Sequence, residues 1–157
     1  MTAVPKASAD WLEAVRQMIA VHNGHGAFVV VFPEYRPDLV RNLAHDLGFE
    51  HFDFRAEIMA PLAWQASRLE LDDLDRTLQE RLGRIGLVAQ NVEALLATKA
   101  DDARRAWLSD FLGRDYAAPV IVPIVLYPDS LPCGHARTCT VHPADLPSQS
   151  LLSRFVC

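Results

Sequence analysis

Seven polar side chains are predicted to lie near the carboxyl ends of strands, where they could bind a ligand or perform acid–base chemistry. Gln90 and Asn91 close one apolar run, and Asp53 lies near the end of another. Residues 34–36 follow a third run, and Tyr127 ends a fourth. Open α/β sheets bind ligands in a crevice outside the carboxyl ends of their strands. The candidate pocket, in which no residue is assigned a catalytic role, consists of Glu34, Tyr35, Arg36, Asp53, Gln90, Asn91 and Tyr127.

A second group of reactive side chains lies close together towards the end of the sequence. The weak candidates for zinc ligands are Cys133, His135, Cys139 and His142. Structural zinc sites usually separate two cysteines by two to four residues, but here the gap is five. A strand over 137–142 would also point Cys139 and His142 to opposite faces. We therefore expect no cofactor, and keep zinc as an alternative; Cys133 with His135 is a poor nucleophile pair because no nucleophile elbow surrounds it.

Two further charged groups have both a functional and a structural interpretation. The acids that a nuclease-like metal site could recruit are Asp53, Glu57, Asp72, Asp73 and Asp75. The basic residues that could contact a partner are Arg104, Arg105 and Arg114. Acids at 72 and 73 also suit the first turn of a helix, where they complement the helix dipole. The arginines are interspersed with acids, as on a solvated helix face.

Apolar runs of the strand type alternate with helical patterns along most of the chain. The predicted strands are 27–32, 49–54, 85–90, 119–127 and 137–142. Helical periodicity covers 9–22, 37–47, 72–82, 92–98, 101–112 and 143–155, while 55–71 is ambiguous. This order predicts an α/β fold, a single-domain three-layer sandwich with a mostly parallel five-stranded sheet flanked by helices. Residues 1–8 are predicted to be a flexible tail and residues 9–157 one domain.

Pro123 conflicts with its surroundings. It lies inside the apolar run 119–127, and proline cannot donate a hydrogen bond to a sheet ladder. An edge position or a bulge would accommodate it, although the buried character of the run favours a central strand.

Length and charge limit the classes of function. The chain has 157 residues, of which 50% are hydrophobic and 22% charged, and its formal net charge is −5. That charge argues against broad contact with a nucleic-acid backbone, so nucleic acid is expected only indirectly. No apolar run reaches the roughly 20 residues that span a membrane. Three cysteines without a recognisable export signal predict reduced thiols and a cytoplasmic protein.

The layout of residues 27–155 resembles the core of a P-loop NTPase of the AAA type. In that family the first strand leads into a glycine-rich phosphate loop, the third ends in metal-binding acids, and the fourth carries a polar sensor. The passage from Asn91 to Tyr127 is similar in style to small accessory proteins of bacterial phage-exclusion (BREX-type) operons. The resemblance implies a P-loop-like domain with a protein partner in phage defence.

The residues that such a family uses for nucleotides are replaced in this chain. A phosphate loop needs glycines, a lysine and a Ser or Thr, but the loop reads Phe32-Pro33-Glu34-Tyr35-Arg36-Pro37-Asp38. Gln90 and Asn91 stand where the metal-binding acids would be. The chain is therefore predicted to be a degenerate ATPase, a non-catalytic accessory subunit of a phage-defence or DNA-processing complex. The alternatives are an enzyme with an unorthodox site at the carboxyl ends of the strands, and a small zinc-stabilised module.

Overall fold

Apolar runs of the chain form one parallel β-sheet in the computed structural model. The structure describes residues 7–147, and of residues 7–10 it describes the backbone alone. Within that range the strands are β1 (Ala27–Val31), β2 (Glu50–Asp53), β3 (Leu87–Gln90), β4 (Val120–Ile124) and β5 (Thr138–Thr140). Each pair of neighbouring strands runs parallel. Parallel strands must be joined by crossovers, which accounts for the helical segments between them.

The strands lie in the order β2-β3-β4-β1-β5. β1 and β2 follow each other in the chain, yet β3 and β4 lie between them in the sheet. This order differs from the two common doubly wound orders, in which the first two strands are neighbours. Since all the strands point the same way, the segments that leave β1, β3 and β4 meet at one edge of the sheet, which we call the carboxyl edge.

Helices cover both faces of the sheet. In chain order they are α1 (Ala7–Val21), α2 (Pro37–Leu47), α3 (Ala60–Leu62), α4 (Leu71–Arg81), α5 (Glu93–Leu96) and α6 (Asp101–Leu112). α1 and α2 pack against Phe28 and Val30 on one face, whereas α4, α5 and α6 pack against Val29 and Val122 on the other. Alternate residues of each central strand thus enter opposite cores, which requires continuous apolar runs. The predicted three-layer α/β sandwich is confirmed, and its sheet is wholly parallel.

Some segments were ambiguous in sequence or were predicted wrongly, and these lie outside the layers of the sandwich. Residues 55–71, ambiguous in sequence, form a π-helical turn (Arg55–Met59), then α3, then a 3₁₀ helix (Ala63–Arg68). The helix predicted from residue 143 begins instead as a 3₁₀ turn, Pro143–Asp145, and its residues 148–155 lie outside the described residues. Of the predicted tail 1–8, residues 7 and 8 belong to α1 and the others lie outside the described range. No helix that the structure describes combines the length and apolar character needed to cross a membrane.

The position of Pro123 resolves the conflict seen in the sequence. β4 is a central strand, and the N–H of Val120 and the C=O of Ile124 both bond to the β1 side. Backbone groups alternate along a strand, so residue 123 faces β3 with a nitrogen that has no hydrogen to donate. In the described chain the β3–β4 register pairs Leu87 with Val120 and Val88 with Ile121 and then stops. The two strands are therefore unpaired at the carboxyl edge.

We predict that Gly86, directly before β3, tolerates no side chain. Its φ is +155°, and a Cβ there would lie 2.6 Å from Cδ1 of Phe49. Gly86→Ala should lower the free energy of unfolding by about 3 kcal/mol, because ring displacement adds to backbone strain. Gly48 is the matched control: it has φ +70° with open space around the added Cβ, so Gly48→Ala should cost about 1 kcal/mol. Urea denaturation measures both, and equal losses would contradict the prediction.

Candidate functional site

A cavity of about 270 Å³ opens at the carboxyl edge of the sheet. Its lining consists of Phe32, Tyr35, Arg36, Val40, Arg55, Gln90, Asn91, Glu93, Ala94, Pro123, Val125 and Leu126. The lining includes Pro123 and Gln90. In the β3–β4 register these two residues would lie opposite each other, beyond the last observed pair, Val88 and Ile121. The predicted pocket residues that line the cavity are Tyr35, Arg36, Gln90 and Asn91. The others, Glu34, Asp53 and Tyr127, are described but lie outside the lining.

Glu93 accepts hydrogen bonds from the three residues that follow β4. Its carboxylate accepts from the backbone N–H groups of Val125, Leu126 and Tyr127. Burial raises the pKa of Glu93, while those three N–H groups and the nearby Arg104 act in the opposite direction. The side chain therefore braces the chain after β4, and its oxygens are already occupied. Sequence reasoning missed Glu93, although a lone acid in the apolar stretch 92–96 was a signal.

Gln90 and Asn91 are both anchored to neighbouring chain and open to the cavity. Gln90 Oε1 lies 2.6 Å from His51 Nε2, which donates to it in the tautomer that this contact requires. Asn91 Nδ2 donates to Asp53 Oδ1 at 3.0 Å. Asn91 also adopts φ +63°, a left-handed conformation that asparagine accepts more readily than most residues. The amides thus fix the end of β3 to β2, and both residues line the cavity.

The loop after β1 is closed by its own charges. Arg36 is only 4% exposed, and its Nε and Nη2 donate to the two carboxylate oxygens of Asp38 at 3.0 and 2.9 Å. Its Nη1 donates to the carbonyl of Pro147 at 3.0 Å and approaches Glu34 at 3.5 Å. The hydrogen bonds from Arg36 hold the pKa of Asp38 below its usual value. The guanidinium that faces this part of the cavity is therefore already neutralised.

Arg55 is the second arginine of the cavity, and it is exposed. It begins the π-helical turn directly after β2 and Phe54, and π-helical turns occur often at functional sites. The turn is fixed by Asp53, whose Oδ1 accepts from the N–H of Ala56 and whose own N–H donates to Glu57. Arg55 takes part in none of the ion pairs among residues 7–147. Sequence reasoning missed it because no pattern predicts a π-helical turn.

The predicted partner-contact arginines differ in their environment. Arg104 is 8% exposed, and its guanidinium carbon lies 3.8 Å from the centre of the Tyr127 ring. Arg114 forms ion pairs with Asp75 at 2.7 Å and Asp110 at 2.9 Å. Arg105 is the most exposed of the three arginines, and its Nε forms an ion pair with Asp101 at 2.8 Å. Of the three, Arg105 presents the most charge to a partner.

The structure does not gather the predicted metal ligands. Within residues 7–147 no group of three or more His, Cys, Asp or Glu side chains is placed to hold a metal ion. Nδ1 of His135 accepts from the N–H of Arg137, and Nδ1 of His142 accepts from the N–H of Ala144. Asp73 belongs to a capping box with Glu70 at the start of α4, as the structural interpretation of that acid expects. Neither a zinc site nor a nuclease-type site gains support from these contacts.

The chemistry that the site can perform is inferred from the side chains that line the cavity. No family model, curated protein or solved structure matches this chain. The described cavity combines apolar walls, two anchored amides, one neutralised arginine and one unpaired arginine, while its single carboxylate is held by backbone N–H groups. Such a lining can hold a small molecule through apolar contact and hydrogen bonds.

We predict that Glu93 gives the stability of the protein a distinctive pH dependence. Its folded pKa is raised above the ordinary value of 4.5, so the folded state binds the proton more tightly than the unfolded state. The associated stabilisation is complete below about pH 4.5 and is lost as the pH rises through the folded pKa.

Glu93→Gln provides the reference because it keeps the size and one acceptor oxygen but does not titrate. The free energy of unfolding of the wild type, minus that of Glu93→Gln, should decrease with rising pH across this window. Urea denaturation at a series of pH values measures the difference. A difference that is constant, or that grows with pH, would show that burial does not control this carboxylate.

Proposed function

We propose that this chain is a non-catalytic, P-loop-like accessory domain that acts through contact with another protein. The observation that carries the proposal is the closed loop after β1, where Arg36 binds both oxygens of Asp38. A nucleotide-binding loop instead offers free backbone N–H groups and an unpaired lysine to the phosphates. The partner would belong to a bacterial phage-defence (BREX-like) or DNA-processing complex, as the sequence resemblance implies.

The charges of the loop oppose phosphate binding. Arg36 supplies one positive charge, whereas Glu34 and Asp38 supply two negative charges. The lowered pKa of Asp38 keeps that carboxylate ionised. Pro33 and Pro37 have no N–H to donate to a phosphate. A triphosphate would therefore have to break the Arg36–Asp38 pair and still meet net negative charge.

The cavity also bears on the alternative of an enzyme with an unorthodox site. Its position at the carboxyl edge is where open α/β sheets place their ligands. However, the described lining contains no Ser, Cys, His or Lys to act as nucleophile or base. Glu93 is the one lining carboxylate, and its oxygens accept three backbone N–H groups. Binding is thus better supported than catalysis.

The rim of the cavity offers a surface for a protein partner. Tyr35 is 59% exposed and Leu126 is 64% exposed, and both line the cavity. Tyrosine is enriched among the residues that dominate binding energy at protein interfaces. We infer that these two side chains belong to the contact surface.

Titration with ATP and Mg²⁺ tests the non-catalytic part of the proposal. Isothermal calorimetry should show no binding, because the loop after β1 is closed by its own ion pair. The same titration on Arg36→Gln checks whether that ion pair alone excludes nucleotide; it too should show no binding, since the loop has no lysine and its two prolines donate no N–H. Micromolar binding of Mg²⁺–ATP by the wild type would overturn the proposal.

Co-purification tests the protein contact. The tagged chain, expressed in its native host, should recover a partner in a fixed ratio, and Tyr35→Ser/Leu126→Ser should lose it. Ile85→Ser is the matched control, because Ile85 is an equally exposed apolar residue that precedes β3 at the opposite edge of the sheet. A wild type that recovers no protein, or a double variant that behaves like the control, would count against the assigned surface.

A further inference from the structure

We infer that the carboxyl-edge cavity binds a small organic acid, whose apolar body lies against the walls and whose carboxylate accepts hydrogen bonds from Gln90 and Arg55. This inference goes beyond the proposed protein contact and does not depend on it. It rests on the side chains of the cavity itself: one buried amide with open donors, one unpaired cation, and walls of hydrocarbon.

Gln90 is the first residue that restricts the kind of ligand the cavity can bind. The residue is 3% exposed, and its Oε1 is occupied by His51. Within residues 7–147 its Nε2, with two N–H donors, forms no hydrogen bond to protein. Gln90 lines the cavity, and its Nε2 is not among the fully enclosed atoms without a partner in the described chain, which are Trp11 Nε1 and Arg104 Nε. A donor with little access to water loses free energy when it stays unpaired, and an acceptor held in the cavity would satisfy the two N–H groups of Gln90.

Arg55 supplies the charge. The other cation of the lining, Arg36, is neutralised by Asp38 and Glu34. The other charged lining group, Glu93, turns its oxygens to backbone N–H groups. Arg55 is thus the lining charge that no partner balances in the part of the chain that the structure describes. A guanidinium together with an amide NH₂ group favours an anionic acceptor, and a carboxylate is the geometry that arginine binds best.

The walls and the volume limit the rest of the ligand. The apolar lining is formed by Phe32, Val40, Ala94, Pro123, Val125 and Leu126. The volume of about 270 Å³ lies just below the range of roughly 300–1,000 Å³ that drug-sized ligands occupy. A short aliphatic or single-ring acid fits these limits, whereas a nucleotide exceeds them and would bring several charges to one arginine.

Amide-detected NMR titration of the isolated chain tests the inference with three probes of one length: hexanoate, hexan-1-ol and hexylamine. Hexanoate should bind about tenfold more tightly than hexan-1-ol, since it adds charge-assisted hydrogen bonds to the same apolar contact. Hexylamine should bind most weakly. The shifts should include the side-chain NH₂ group of Gln90.

Arg55→Gln separates the charge from the apolar contact. In this variant hexanoate and hexan-1-ol should bind equally, and binding of the alcohol should stay as in the wild type. Arg84→Gln removes the same charge from an exposed residue before β3, at the opposite edge of the sheet, and should keep the tenfold preference. Arg55 is itself exposed, so neither variant should disturb folding.

Three outcomes would overturn the inference: equal binding of acid and alcohol by the wild type, a preference for the amine, or a preference for the acid that survives in Arg55→Gln. Shifts that avoid Gln90 and Asn91 would likewise place the ligand elsewhere. None of these outcomes touches the protein contact, which is measured with a partner present.

Discussion

The candidate site depends on a missing hydrogen-bond donor in a central strand. Pro123 faces β3 without an N–H, so the β3–β4 ladder ends after Val88 and Ile121. A continuous ladder would bring the chain after β3 against the chain after β4. Their separation leaves room for the cavity, and it also leaves the N–H groups after Ile124 in need of acceptors. Glu93 supplies those acceptors from the segment that follows β3.

The Glu93 carboxylate alone accepts hydrogen bonds from three backbone N–H groups beside the cavity. A backbone N–H that is withdrawn from water without a partner costs about as much as a lost hydrogen bond, and Glu93 supplies partners for three of them. Burial opposes the charge on Glu93, and the three N–H groups oppose that effect. The carboxylate is thereby committed to structure.

The two arginines of the cavity show that equal charges can have unequal roles. Arg36 sits in the loop after β1, between two acids two residues away on either side, and folds back on Asp38. Arg55 sits on a turn fixed by Asp53 and has no acid bound to it within the described residues. Exposed charges interact weakly with distant ones because water and salt screen them. The unpaired guanidinium would therefore act over a short range, on a group held close to it in the cavity.

Sequence reasoning predicted the layers well because each one has a local signature. The continuous apolar run of β1, Pro37 at the start of α2 and Gly48 at its end are signals within a few residues, and the structure bears them out. The cavity has no such signature. It required knowing that β4 lies between β1 and β3, which is a property of the whole chain, and that residues 55–59 form a π-helical turn. Pro123 was recognisable in the sequence as an unusual strand residue. Its effect on the sheet, however, depends on which neighbouring strand its nitrogen faces.

The cavity and its rim share residues, and this joins the two proposed activities. Tyr35 and Leu126 line the cavity and are also exposed. A small acid inside and a protein outside would therefore contact the same two side chains. When two ligands share contacts, the effect of the first on the affinity of the second equals the effect of the second on the first. An acid that holds these side chains in the conformation that the partner binds would have a higher affinity when the partner is present. An acid that moves them out of that conformation would have a lower affinity. In the proposed complex, the partner contact would therefore respond to the molecule that occupies the cavity.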